Sequence, residues 1–478
     1  MGKGTLLTLF AYGIYIIGTY FLHVVLARLL GPGSYGTFVI VLSLLSISDI
    51  FVFRGMLDTV SKHVAEDPLR SYSLSRSVTP IHILFSLAMA TVYFCAANPL
   101  SVVLHDQKLA PLIRLSSLSI VPWGLLSIYL GILEGRREFG KKSVVLLSNT
   151  IFKLLFIIGL VQLGYSTKGA VLGYTLSIIP SIFIVYFLCS VKKNDYHVSL
   201  KPIVSFAVSL IGANLLFSLI QYADIVFVQY FLSDGVKTGY YSAAATIAKT
   251  IPIVFVSFNS TLQPSVSLAF TSKDRSQEEN YVFLSFRFAL LLLVPTIAVL
   301  ASQSEGILAL LYTTKFSGGA GALRILAVGT GFQVFVNLFC SILTGRGKPR
   351  LQIVLGATVL IVDVCSSILL IPRFGLLGAA AAFSVASFSG AIFSAVYLHK
   401  NYRGVIRRTG TWKTLLAGAI VYVAGMYWRS TGLAVIPLCA ALYSVFVLVL
   451  FGIKGIGRED FQTITGALKR RPGQPTEQ

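Results

Sequence analysis

Charge of both signs is scarce in this chain of 478 residues: only 12% of positions are Asp, Glu, Lys or Arg, about half the ~25% of a soluble domain. Acidic residues are the rarer, 18 Asp and Glu against 39 Lys and Arg. So little polar material excludes an ordinary cytosolic enzyme and a disordered chain. It also leaves no soluble surface on which a nucleic-acid binder could spread its basic residues. Cysteine is nearly absent. Cys95, Cys189, Cys340, Cys365 and Cys439 all sit in apolar runs with no Cys-x-x-Cys or Cys/His spacing, so neither a metal site nor a disulfide framework is indicated and no cofactor is expected. No Walker A sequence occurs, which argues against direct use of ATP. Between the apolar runs there is no room for a soluble domain of ~100 residues.

What the chain does have is 55% hydrophobic residues and a mean hydropathy of +0.80. A membrane-spanning helix needs about 20 mostly apolar residues. Hydropathy and Gly, Pro and charge punctuation predict spans at 6–30, 37–53, 80–97, 113–133, 144–163, 169–189, 204–232, 239–258, 282–301, 322–343, 351–371, 376–397, 412–427 and 433–453. The expected class is an all-α polytopic membrane protein of about 14 transmembrane helices. The first run, Leu6 to about Leu30, exceeds a signal-peptide core and is expected to remain as the first helix.

The net charge of +21 is distributed unevenly. Every second loop, together with the tail, holds about 27 Lys and Arg, among them Arg70, Arg136, Lys142, Lys192, Lys193, Lys273, Arg346, Arg403, Arg407, Arg408, Arg458, Lys469, Arg470 and Arg471; the alternate loops hold about 6. The positive-inside rule then places both termini in the cytoplasm of a multi-pass protein. Most of these cations are expected to be solvated loop ends and contacts to membrane-lipid headgroups.

An internal repeat runs through the chain. Ile132-Leu133-Glu134-Gly135-Arg136 matches Ile342-Leu343-Thr344-Gly345-Arg346, and Gly169-Ala170-Val171 matches Gly378-Ala379-Ala380 at nearly the same offset of 210 residues. The turn Leu30–Gly36 resembles Leu232–Gly239 with one insertion. Residues 1–200 and 201–400 therefore read as two six-helix lobes, 401–453 as an extra helix pair and 454–478 as a basic cytoplasmic tail. An even repeat makes the copies parallel, related by an axis along the membrane normal, which leaves a central cavity between them.

Ionisable groups inside hydrocarbon cost roughly 2.5–3.5 kcal/mol each, so they face a cavity or a partner. The candidates are His23, Arg28, Asp49, Arg54, Lys153, Asp224, Lys249, Arg287 and Asp363; Arg114 and Arg324, at matching outer helix ends, are expected to snorkel. Lys153 and Asp363 are related by the repeat. Asp224 and Lys249 flank one turn and are placed to pair, as an ion pair that sets helix register or as part of a site. Arg28, Arg54, Lys153, Lys249 and Arg287 make the deep charge cationic, which suits an anionic, phosphate-bearing cargo. Asp49, Asp224 and Asp363 are candidates for ion coupling or buried pairs. Tyr15, Tyr20, Tyr222 and Tyr230 lie on the first helices of the two lobes, where a sugar path would run.

Ala27-Arg28-Leu29-Leu30-Gly31-Pro32-Gly33-Ser34-Tyr35-Gly36 and Leu370-Ile371-Pro372-Arg373-Phe374-Gly375-Leu376-Leu377-Gly378-Ala379-Ala380 resemble the polysaccharide-transporter, or oligosaccharide flippase, family. It belongs to the superfamily that includes multidrug-and-toxin exporters and the lipid II flippase. The resemblance covers nearly the whole chain. It implies alternating access in the cell membrane, moving a polyprenyl-diphosphate-linked oligosaccharide from the cytoplasmic to the outer leaflet, with proton or sodium coupling and contacts to glycan-assembly enzymes. Arg28 and Arg54 stand where arginines of the first hairpin matter in the lipid II flippase; helix eleven of the family often carries Asn where Asp363 stands. Two other functions compete. A cation-coupled drug exporter would use Asp224 and Asp363, but the deep cations would repel its cargo. A membrane glycosyltransferase or polymerase would need acidic pairs on an outer loop, and 98–112 and 302–321 offer only Asp106 and Glu305.

Overall fold

The computed structural model describes residues 2–189, 200–272, 274–402 and 411–455. Lys192, Lys193, Lys273, Arg403, Arg407, Arg408 and the tail cations from Arg458 onward lie outside them. Among the described residues the chain is helical with no strand. Among the described residues, eight continuous stretches are long and apolar enough to cross a membrane by length and composition; three of them, Gly13–Glu66, Phe139–Leu188 and Arg350–Asn401, each run across two of the predicted spans. The chain is thus an all-α, multi-pass membrane protein. Its contacts divide it into two units, Lys3–Thr246 with Ser367–Ala379, and Ile247–Ser366 with Ala380–Gln478.

The first unit opens with α1 (Gly2–Asp49), which is two helices joined across Gly31 at φ 72°, with Pro32 following. Glycine tolerates the left-handed backbone there, and proline starts the second half without losing a needed hydrogen bond. A π-helical turn, Ile50–Arg54, leads into α2 (Gly55–Glu66). Then come α3 (Ser71–Cys95), α4 (Ala97–Val103), α5 (Leu109–Ser117), α6 (Ile120–Gly135), α7 (Phe139–Leu160), α8 (Ser166–Leu176), α9 (Ile178–Leu188), α10 (Leu200–Leu232) and α11 (Gly235–Ala248). Helix α6 packs against α2, α3 and α9, and α7 against α8 and α9; Val60, Val64, Leu126, Leu130 and Leu133 are buried between them. Helix α10 lies along α2. That packing is why the contact division falls one hairpin later than the repeat boundary at 200/201.

The second unit contains α12 (Ile251–Val254), α13 (Val256–Thr271), α14 (Arg275–Ser302), α15 (Ser304–Leu311), α16 (Ala320–Gly345), α17 (Pro349–Asn401, broken at Gly375 and shared with the first unit), α18 (Thr411–Tyr427) and α19 (Val435–Gly452). The Asp274 carboxylate caps α14 by accepting from the Gln277 amide at 3.0 Å, satisfying one of the orphan donors of a helix start. The pair α18–α19 packs on α14 through Val299, Val421, Leu442 and Phe446. Polar ties reinforce it: Gln303 donates to the Gly425 and Trp428 carbonyls at 2.5 and 3.0 Å.

The repeat has structural counterparts within each unit. Arg136 donates to Ser71 at 3.0 Å, and Arg346 donates to Glu278 at 2.5 and 3.0 Å; each joins the end of one helix to the start of another. Arg114 donates to Asn98 on α4, and Arg324 donates to Ser304 on α15. Gly169 and Gly378 each lie so close to the preceding helix's backbone, at Leu160 and Leu370, that a Cβ would collide. Matched residues at the fixed offset therefore do the same mechanical work twice.

Candidate functional site

In the first unit two of the deep ionisable candidates, Asp49 and His23, lie around a third, Lys153. This residue projects from α7, and its Nζ lies 4.9 Å from the ring centres of both Trp123 on α6 and Tyr174 on α8. Aromatic faces attract a cation through the ring quadrupole, by about 0.5–2 kcal/mol each depending on desolvation. Lys153 also lies within electrostatic range of Asp49 and His23 on α1. His23 shares a 3.1 Å hydrogen bond with the Tyr35 hydroxyl. Asp49 keeps one buried carboxylate oxygen, Oδ1, with no hydrogen-bond partner among the described residues. Tyr222 on α10 hydrogen-bonds Ser46 and lies within range of both Asp49 and Arg54. Tyr20 lies within electrostatic range of Tyr222, and Tyr15 within that of Tyr174. Of the four tyrosines singled out for a sugar path, Tyr15, Tyr20 and Tyr222 thus converge; Tyr230 instead stands beside His105.

The π-turn positions this cluster. Asp49 precedes it, Arg54 ends it with an exposed side chain, and its Val52 carbonyl accepts from His82 Nε2 at 2.8 Å and from Ser127 at 3.4 Å. A π-turn leaves backbone carbonyls without their usual partner; a buried histidine and a serine from α3 and α6 supply it. Sequence reasoning missed His82. The signal was a lone histidine in the otherwise apolar Ile81–Phe85 run.

Arg28 is exposed on α1. Asp224, buried on α10, accepts from the Tyr241 hydroxyl at 3.0 Å and from its neighbour's amide. In the second unit the buried Lys249 places Nζ 5.6 Å from the Phe383 ring centre. Arg287 donates to the Gly455 carbonyl after α19, so its guanidinium anchors the C-terminal helix pair. Asp363 is buried on α17. Among the described residues no group of three or more His, Cys, Asp or Glu is placed to hold a metal ion.

A polar cluster that the sequence did not flag sits in the second unit. The Glu278 carboxylate receives both Arg346 bonds and the Tyr402 hydroxyl at 2.6 Å, and Arg346 lies 4.5 Å from the Tyr402 ring. Burial opposes charge on Arg346, but the carboxylate outweighs it and holds the guanidinium above its ordinary pKa.

The turns related by the repeat meet. A Cβ on Gly36 would lie 2.7 Å from the Gly239 nitrogen, and one on Gly33 would lie 3.5 Å from Val236 Cγ2. Thr238 donates to Gln229, which donates to the Leu104 carbonyl, tying the α10–α11 turn to the end of α4.

A cation and a carboxylate set among aromatic rings inside apolar spans mark a candidate functional site of a multi-pass membrane protein. The family model for polysaccharide biosynthesis proteins matches residues 25–320, and the chain belongs to that family. It is 22% identical over 378 residues to a putative O-antigen transporter of Shigella flexneri, covering 75% of this chain and 88% of that one. It is 23% identical over 294 residues to an uncharacterized membrane protein of Methanocaldococcus jannaschii, a match spanning 60% of this chain and 56%, little over half, of the relative. The structure of the lipid II flippase MurJ in an inward closed conformation superimposes with a TM-score of 0.74 at 17% identity, over 94% of this chain and 100% of that one. At that identity the likeness establishes a common fold.

Proposed function

We propose that this protein flips a polyprenyl-diphosphate-linked oligosaccharide from the cytoplasmic to the outer leaflet of the cell membrane, for surface polysaccharide or glycan assembly. The observation that carries this reading is Lys153, held between Trp123 and Tyr174 beside Asp49. A cation compensated among the described residues by two ring faces and a nearby carboxylate is poised to gain from an anionic cargo, and the surrounding tyrosines offer flat faces and hydroxyls to sugars. Arg54 and Arg28 extend the positive path along α1 and its π-turn. Family membership and the name of the Shigella relative support the cargo class.

The two repeats, 1–200 and 201–400, act as lobes of an alternating-access cycle, and the loop charges orient both termini to the cytoplasm. Asp49, Asp224 and Asp363 are the carboxylates through which a proton or sodium ion drives the cycle. Lys249 and Arg287 complete the cationic set in the second unit, Arg287 mainly as an anchor. Glycan-assembly enzymes receive the product outside.

The test is reconstitution in liposomes with a fluorescent lipid-linked oligosaccharide, following its accessibility to an outside quencher or lectin. Accessibility rising with protein content supports the reading. Equal accessibility with and without protein, together with uptake of a cationic dye, replaces it with drug export.

A further inference from the structure

A second feature is built on the back of the same π-turn. Helices α3 and α10 leave an apolar groove of about 160 Å³ between them. Ile81 and Phe85 form one wall and Val204 and Val208 the other, and these four are 40–63% exposed. Phe51, from the π-turn, and Met56, from the start of α2, form the floor. His82, the one polar side chain in the lining, is committed to the Val52 carbonyl, so the groove offers a ligand no hydrogen bond and suits hydrocarbon alone. At the end assigned to the cytoplasm the surroundings become cationic. Lys201 follows the lining residue Leu200, and Lys62 lies 3.8 Å over Phe206, sharing its charge with Glu66 at 3.9 Å. Arg54 stands three residues from Phe51 in the turn that also follows Asp49.

We infer that this groove seats the first isoprene units of the substrate's polyprenyl chain, so that the diphosphate is presented to Arg54 and the Lys153 cluster. The inference rests on the function proposed above and adds the lipid's place. Three observations favour this occupant. At about 160 Å³ the groove has the volume of a short stretch of a single hydrocarbon chain. Its floor and the polar cluster share one turn, so a chain in the groove is joined by a few atoms to a headgroup beside Arg54. The cations near the groove match a diphosphate in charge.

The test places a benzophenone amino acid at Val204, with Leu155, an apolar residue of α7 also at least half exposed, as the control position. The full-length protein in phospholipid nanodiscs is irradiated with a tritiated long-chain polyprenyl diphosphate. Labelling at Val204 at least tenfold above Leu155, competed by unlabelled polyprenyl diphosphate and not by added dioleoyl phospholipid, is the expected result. Ala207→Trp, which fills the groove, and the milder Ala207→Leu should lower that labelling in order of side-chain size. Equal labelling at the two positions, or equal competition by phospholipid, overturns the inference. Flipping in liposomes is measured on the same preparations. Flipping without selective labelling removes the groove and leaves the proposed function; selective labelling without flipping keeps the groove and removes the function.

Discussion

Locking the two repeat-related turns together should stop transport. In the structure a Cβ on Gly33 lies 3.5 Å from Val236 Cγ2, and the neighbouring Gly36 and Gly239 meet backbone to backbone. In a disulfide the Cβ of one cysteine lies about 3 Å from the partner sulfur, from standard bond lengths and angles. Gly33→Cys with Val236→Cys therefore needs an approach of only about half an ångström, within reach of a turn whose side chains are small. Gly33, unlike Gly31, is not among the positive-φ glycines, so a side chain there brings no backbone penalty. The pair is placed in a background lacking Cys95, Cys189, Cys340, Cys365 and Cys439, all unpaired in the native chain. Oxidation should cross-link most of the protein. Flipping of a lipid-linked oligosaccharide in liposomes should then drop to the level of protein-free vesicles and return on adding dithiothreitol, while each single-cysteine variant stays active. The physical reason is that alternating access requires these turns to part when cargo leaves outward. A fully cross-linked protein that flips at the uncrosslinked rate would refute the mechanism.

Three further outcomes follow from the geometry. Lys153→Met removes one charge-assisted contact to the cargo, about 1.5–3 kcal/mol, and should slow flipping roughly 10- to 100-fold. Lys153→Arg should retain more activity, with folded yield by size-exclusion chromatography equal in both. Glu278→Gln leaves the half-buried Arg346 without its carboxylate and should destabilise the second unit by about 1.5–3 kcal/mol, read as a lower thermal midpoint in detergent. The double variant with Arg346→Met should recover part of the loss. Arg136→Ala, whose partner Ser71 is neutral, should cost less than Arg346→Ala, about 1 kcal/mol, by the same measurement.

The deep charges were legible because hydrocarbon makes each one costly, so any that remain stand out against the apolar background. Lys153 and Asp49 were recognisable in this way, and the structure brings them within range of each other. Linear spacing gave Asp224 and Lys249 comparable depth beside one turn; the groups that meet each of them, the Tyr241 hydroxyl for Asp224 and the Phe383 ring for Lys249, came only with the fold. Glu278 escaped notice because it opens a helix among loop charges that read as orientation signals; only the folded chain brings Arg346 and Tyr402 to it. His82 escaped because a histidine in an apolar run carries no period or motif. Its role depends on a carbonyl released by a π-turn, and hydropathy does not register such a turn.

Hydropathy, loop charge and the 210-residue offset by themselves determined that the chain is a multi-pass helical membrane protein, where its helices run and which residues are mechanical equivalents. These properties are local or periodic, set by the cost of exposing backbone and charge to lipid. The tertiary structure decided which helix faces meet: that Lys153 rests between two aromatic rings, that Arg287 anchors the last helix pair, that the repeated turns close on each other and that α3 and α10 leave an apolar groove. Those depend on rotation about each helix axis and on side-chain packing, which a sequence with apolar residues on nearly every face leaves undetermined.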